Sequence, residues 1–176
     1  MYAIVSVHEK SGVEGLSRAF QEQGIIVLAT PGTRTYLHEH GVECRPVADI
    51  TGFDSMCEGG VKTLHPLIHK MITTGEIAYV VVDFIPSSKA YDGSLGMDIG
   101  GPALVLSGIK HHARVCVVAD ARHVPELTVR VQEGTADKRY RARNAKQAME
   151  ELITYQQGVL ALLGDEDDPG NLRTHH

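Results

Sequence analysis

Residues Ile77 to Phe84 read Ile-Ala-Tyr-Val-Val-Val-Asp-Phe, an almost unbroken apolar run. A strand wetted on one face alternates apolar and polar side chains, so a run without alternation marks a strand covered on both faces. Such strands belong to parallel sheets, whose crossovers are helices lying on the sheet. The rest of the chain supplies matching pieces. Tyr2 to Val7, Ile25 to Ala29, Val42 to Val47 and Val115 to Ala119 are further strand-like runs. Helices are predicted between them. Gly12 to Gln23 carries Val13, Leu16, Ala19 and Phe20 at helical spacing and is closed by Gly24, and Thr33 to His40 is ended by Gly41. Pro102 to His112 has a proline in its first turn, and Val124 to Glu133 and Arg143 to Leu163 follow. Strands alternating with helices predict an α/β fold, a single three-layer domain with a mostly parallel sheet.

A chain of 176 residues suits one core. The expected organisation is an α/β domain over 1–137, a helical extension over 138–164 packed on it, and a polar, mobile tail over 165–176. With 17 basic and 22 acidic residues the net charge is −5, which gives no broad footprint for nucleic acid. No run approaches the about 18 apolar residues of a membrane span, and the amino terminus enters a strand without a basic leader. A cytoplasmic location without membrane or nucleic-acid partners is expected. Cys44, Cys57 and Cys116 are odd in number and lack C-x-x-C spacing, so neither a disulfide framework nor a thiolate zinc site is expected.

In an open parallel sheet, ligands bind where strands end and helices begin, because backbone N–H groups and positive helix ends gather there. The candidate loops are Ser6 to Gly12, Thr30 to Thr33, Gly59 to Pro66, Phe84 to Ser88 and Asp98 to Pro102. The first two offer hydroxyls, Lys10 and a glycine near helix starts, a set suited to a phosphate monoester. Ser11 or Thr33 can equally serve as a helix N-cap. Val61-Lys62-Thr63-Leu64-His65-Pro66 sets an ammonium beside a hydroxyl between two glycines and a proline. His65 and His69 have the i,i+4 spacing of a metal pair, but Pro66 intervenes and no Glu follows His65 directly, so packing or hydrogen bonding is expected and no metal.

Six landmarks occur in one order: Ser6-Val7-His8-Glu9-Lys10-Ser11-Gly12, Ala29-Thr30-Pro31-Gly32-Thr33, Asp49-Ile50-Thr51-Gly52-Phe53, Val61 to His69, Asp98-Ile99-Gly100-Gly101-Pro102, and Lys110-His111-His112 ahead of a valine-rich strand. In this the chain resembles the inosine monophosphate cyclohydrolase domain at the amino end of the bifunctional purine-biosynthesis protein, built on the methylglyoxal-synthase-like fold. The resemblance implies ring closure of a formamidoimidazole carboxamide ribonucleotide, with loss of water to give inosine monophosphate and with no cofactor. It implies a catalytic set of Lys62, Asp98 and Lys110, and substrate-binding positions at Ser6, Lys10, Ser11, Gly12, Thr30, Gly32, Thr33, Thr63, Asp83, Ile99, Gly100 and Gly101. Lys110, about two turns along a helix from Pro102, is expected to reach back toward the Asp98 loop. Which lysine would serve the oxyanion and which the amide stays open. The family's formyltransferase domain is expected on a separate protein, and the partner set is a small ribonucleotide and a second copy in a homodimer.

The departures matter as much. Gly60 stands where the family has an arginine, Asp83-Phe84-Ile85-Pro86-Ser87 where it has Asn-Leu-Tyr-Pro-Phe, and Leu106 where an arginine is common. Tyr91 is an alternative source of a phenol, whereas Tyr79 is expected to pack in its strand. Two further readings therefore stand beside the enzyme: a degenerate relative that holds a nucleotide as a sensor or regulatory subunit, and a phosphate-binding domain like methylglyoxal synthase.

Overall fold

The Ile77–Val82 run is a central strand in a computed structural model that describes residues 1–53, 62–89 and 95–164. It is β4, after β1 (Tyr2–Ser6), β2 (Ile26–Ala29) and β3 (Arg45–Pro46), and it precedes a small antiparallel hairpin of β5 (Ser88–Lys89) and β6 (Leu95–Gly96) and then β7 (Cys116–Val118). The five-stranded sheet has the order β3-β2-β1-β4-β7, and each of its pairings is parallel. Helices α1 (Val13–Glu22), α2 (Pro31–Glu39), α3 (Ala48–Thr51), α4 (Pro66–Thr74), α5 (Gly100–Lys110), α6 (Val124–Gln132) and α7 (Lys138–Gly164), with a 3-10 turn at Ala121–His123, complete the described elements.

The unbroken run follows from burial on both faces. Val81 joins Leu16 and Phe20 of α1, Leu37 of α2 and Leu127 of α6 in one core layer. Val80 and Val82 point the other way, onto Ile68 and Ile72 of α4, Leu104 and Val105 of α5, and Leu152 of α7. Each fully buried leucine or isoleucine contributes about 1.5–3 kcal/mol, so both layers are needed to hold a sheet of such short strands. Tyr79 packs its ring 4.9 Å from Phe20, as a strand residue against a helix.

Two strands begin later than their apolar residues predict, for one reason. Ile25 donates its N–H to Phe20 O at 2.9 Å and Val42 donates to Leu37 O at 2.9 Å, each just past a glycine with positive φ, Gly24 or Gly41. These are Schellman closures, in which the apolar residue after the glycine satisfies a helix carbonyl instead of a strand partner. The predicted strand Val42 to Val47 therefore shrinks to Arg45–Pro46. α7 starts five residues before the predicted Arg143 because Asp137 Oδ1 accepts the Tyr140 N–H at 2.7 Å and caps it. α4 was not foreseen. Pro66 opens it, His65 Nδ1 accepts the Leu67 N–H at 3.2 Å, and Ile68, Met71 and Ile72 turn to the core. Among the described residues no helix is long and apolar enough to cross a membrane. Cys57, Gly60, Val61, Tyr91 and the expected tail at 165–176 lie outside the described residues.

Candidate active site at the carboxyl edge of the sheet

The strand order places β1 between β2 and β4, so the loops leaving β1 and β4 diverge over opposite halves of the sheet and leave a crevice at its carboxyl edge. A cavity of about 260 Å³ occupies that crevice. Ser6 and Lys10 reach it from the end of β1 and the loop beyond, Thr30, Gly32 and Thr33 from the start of α2, and Asp83 from the end of β4. Lys62 and Thr63 enter ahead of α4, and Asp98, Gly100 and Gly101 enter at the start of α5. Eleven of the expected site residues, from five stretches of chain, thus meet around one space.

Thr33 is buried, and its hydroxyl lies 3.2 Å from the Val7 N, 3.3 Å from the Val7 carbonyl oxygen and 3.4 Å from Thr30 Oγ1. These bonds fasten the first two loops together. Lys10 curls over its own loop, donating from Nζ to His8 O at 2.9 Å. Asp83 braces the same loop from across the crevice: its carboxylate accepts the His8 N–H and, at 2.7 Å, the Glu9 N–H. Burial pushes the Asp83 carboxyl above its usual range, and those two N–H donors oppose the shift.

At the opposite wall Asp98 Oδ1 accepts the Gly101 N–H at 2.9 Å, capping α5 from inside the cavity. A side chain at Gly101 would overlap the Asp98 carboxylate, so glycine there is a requirement of close approach. Burial pushes the Lys62 ammonium below its ordinary range while the charge of Asp98 works against that shift, so the lysine feels the aspartate across the site. His69 links the two helices behind them, with its Nδ1 2.6 Å from Ser107 Oγ, and burial holds its pKa low against a hydrogen bond with the Thr63 backbone. The His-Pro-x-x-His stretch is thus a helix cap followed by a bridge between α4 and α5.

Four expected residues lie off the cavity. Ser11 spends its N–H and hydroxyl on Glu9 Oε1, at 2.9 and 2.7 Å. Gly12 has φ of 78°, and its place in the motif is explained by the left-handed turn that admits α1. Ile99 is half exposed on the outer side of α5. Lys110 ends α5, exposed, and the ten steps from Gly100 to it rise about 15 Å along the axis. The expected return of Lys110 to the Asp98 loop therefore does not occur within one chain. The cavity wall also includes Val7, His8 and Ile85, which were not among the expected binding residues. His8 had one signal, its place two residues after Ser6 at a strand end; Ile85 had only the position of the replaced tyrosine.

Residues 12–99, half of the chain, match the family model described as MGS-like domain. The chain belongs to the MGS-like domain family. Members similar to it over most of its length include the bifunctional purine biosynthesis protein PurH of Aquifex aeolicus, 32% identical over 92% of this chain and 36% of that protein. The PurH of Paracoccus denitrificans is 36% identical over 68% of this chain and 27% of that protein. The chain spans about a third of the length of the PurH relatives it matches. A solved structure described as that of ForH superposes with a TM-score of 0.78 at 23% identity, covering 93% of this chain and 98% of that one, and so shares the MGS-like fold.

Proposed function

We propose that this MGS-like domain closes the purine ring of a formamidoimidazole carboxamide ribonucleotide or a close analogue, releasing water and giving inosine monophosphate. The observation that carries the reading is the meeting of Lys62 and Asp98, 36 positions apart, in one cavity whose other wall is made by the hydroxyl and glycine loops after β1 and β2. The 5′-phosphate sits against Ser6, Lys10, Thr30, Gly32 and Thr33. Asp98, oriented by Gly101, takes a proton from the carboxamide nitrogen as that nitrogen bonds to the formyl carbon. The formyl oxygen gains the charge, and the Lys62 ammonium stabilises it. Its depressed pKa makes the lysine a readier proton donor to that oxygen, giving a carbinol. Asp98 then returns its proton to the carbinol oxygen, which leaves as water while the former formamido nitrogen gives up its proton to Lys62 and the ring aromatises. Similarity to PurH over most of the chain supports this chemistry.

A homodimer belongs to the same proposal. Ile99, the N-cap of α5, and Leu106 within it are exposed apolar residues seven positions apart, and Lys110 follows four positions on. A second copy packed antiparallel on this stripe carries its Lys110 toward Asp98 of the first, which reconciles the lysine's place in the motif with its distance from the cavity of its own chain.

A specific observation favours a second reading, of a nucleotide-holding relative without turnover: Ile85 lines the cavity at the position where the family resemblance expects a tyrosine. Mixing the protein with the formamidoimidazole carboxamide ribonucleotide and following the purine chromophore tests both. Rate above the spontaneous background supports the enzyme; saturable binding at background rate supports the holder.

A further inference from the structure

Tyr155 lies on α7, 57 positions beyond Asp98, and its phenol oxygen accepts the Asp98 backbone N–H at 2.5 Å. Its ring packs on Phe84, with centroids 4.8 Å apart and planes tilted by 34°. Phe84 directly follows Asp83, and Asp98 lies two positions before the first residue of α5, so one side chain touches both segments that form the β4 side of the cavity. Burial pushes the Tyr155 hydroxyl pKa up, the Asp98 N–H opposes this, and the Asp98 charge adds to it, so the phenol stays neutral through the physiological range.

On this geometry we infer that Tyr155 is a positioning residue for Asp98, holding its backbone so that the carboxylate keeps one oxygen on the Gly101 N–H and the other free to turn to the ring-closing nitrogen. The inference rests on the proposed reaction for its catalytic consequence, though not for the contact itself. Asp98 has two anchors on opposite sides of its Cα: the phenol fixes its N–H, and Gly101 fixes its Oδ1. Removing the first lets the residue pivot about the second, and misplacement by an ångström costs up to about 10²-fold in a reaction that depends on aligned atoms. The Phe84 contact makes a second demand on the same ring, but it is apolar and survives loss of the hydroxyl. The carboxyl-terminal helix thereby belongs to the site, although it lines none of the cavity.

Tyr155→Phe tests this, because the ring contact persists while the acceptor for the Asp98 N–H is lost. Two readouts are taken on the full chain. In a two-dimensional amide NMR spectrum, the Asp98 and Gly101 peaks should both move while the β1 and β7 peaks stay in place; an unmoved Gly101 peak overturns the inference whether or not the protein turns over. In the cyclisation assay, Tyr155→Phe should lower kcat about tenfold with KM within about twofold, and should cost nothing further in an Asp98→Asn background, since it acts through that carboxylate. A tenfold loss that repeats in the Asp98→Asn background, or a kcat close to wild type, also overturns it. If the wild type shows no turnover, the proposed reaction fails while the amide spectrum still decides the role of Tyr155. Tyr155→Leu, which also removes the Phe84 contact, should lower Tm further than Tyr155→Phe does and so separates packing from positioning.

Discussion

Thr33 holds Val7 by both of its backbone groups, receiving the N–H at 3.2 Å and lying 3.3 Å from the carbonyl oxygen, so the start of α2 is locked to the end of β1. The lock is buried, and Thr33→Val keeps the shape while leaving both groups of Val7 without this partner. An unsatisfied buried polar group costs about 1–3 kcal/mol, and about 2–4 °C in Tm accompanies each kcal/mol in a chain of this size. Thermal scans should show that loss for Thr33→Val and most of the stability retained in Thr33→Ser. Titration with inosine monophosphate should show weaker binding in the valine variant as the two phosphate loops loosen.

Lys62→Ala and Asp98→Asn should each lower kcat and kcat/KM together by about 10²-fold while nucleotide binding persists, because both act on charge that develops only in the transition state. Retention of near-normal kcat in both would end the enzyme reading.

The same pair predicts a titration shift. Asp98 raises the Lys62 pKa against the depression caused by burial, so Asp98→Asn should make Lys62 titrate at lower pH than in the wild type. The Lys62 side-chain NMR signal followed against pH reads this directly, independent of turnover, and an upward shift would contradict the assigned geometry.

Asp83 gives a stability prediction with a definite sign. Its folded pKa is raised, so the folded chain holds this proton more tightly than the unfolded chain does. The contribution is therefore fully present below the ordinary aspartate pKa and is lost as pH rises through the raised value. Tm of the wild type relative to Asp83→Asn should fall from acid to neutral pH, and a rise over that window would contradict the assignment.

Lys110 decides the proposed homodimer. Lys110→Ala and Asp98→Asn should each be nearly inactive alone, while their mixture should recover up to about a quarter of wild-type turnover. Half of randomly mixed dimers are hybrids, and each hybrid holds one intact site of two. Absence of recovery after subunit exchange would refute a site shared between two copies.

The layered fold was legible because burial on two faces leaves a compositional trace, most plainly in the Val80-Val81-Val82 run and in the helix-ending Gly24 and Gly41. What sequence patterns missed was local hydrogen bonding. Ile25 and Val42 look like strand residues but are taken up by helix closures, and the N-cap role of Asp137 hid a full turn of α7. At the site, residues at strand ends and helix starts were readable as types: Ser6, Thr30, Lys62 and Asp98 all reached the cavity. Lys110 was expected to reach back over two helical turns, but the rise along α5 carries its Cα about 15 Å from Gly100, farther than a lysine side chain returns. Tyr155 lay in a helical segment with no chemical pattern around it, and only the antiparallel return of α7 along α5 brings it to Asp98.

The pairing of β1 with β4 joins Tyr2 to Ile77 across 75 positions, and in the five-stranded sheet the smaller β1–β2 separation still exceeds twenty. A chain synthesised from its amino end therefore completes Ser6, Lys10, Thr30 and Thr33 long before their counterparts at Asp83 and Asp98 exist. Loop closure over such distances must precede the contacts that reward it, which makes parallel pairing slow relative to helix formation. On refolding, helical signal should return first, and capacity to bind nucleotide should return only with the slow phase that seats β4 between β1 and β7.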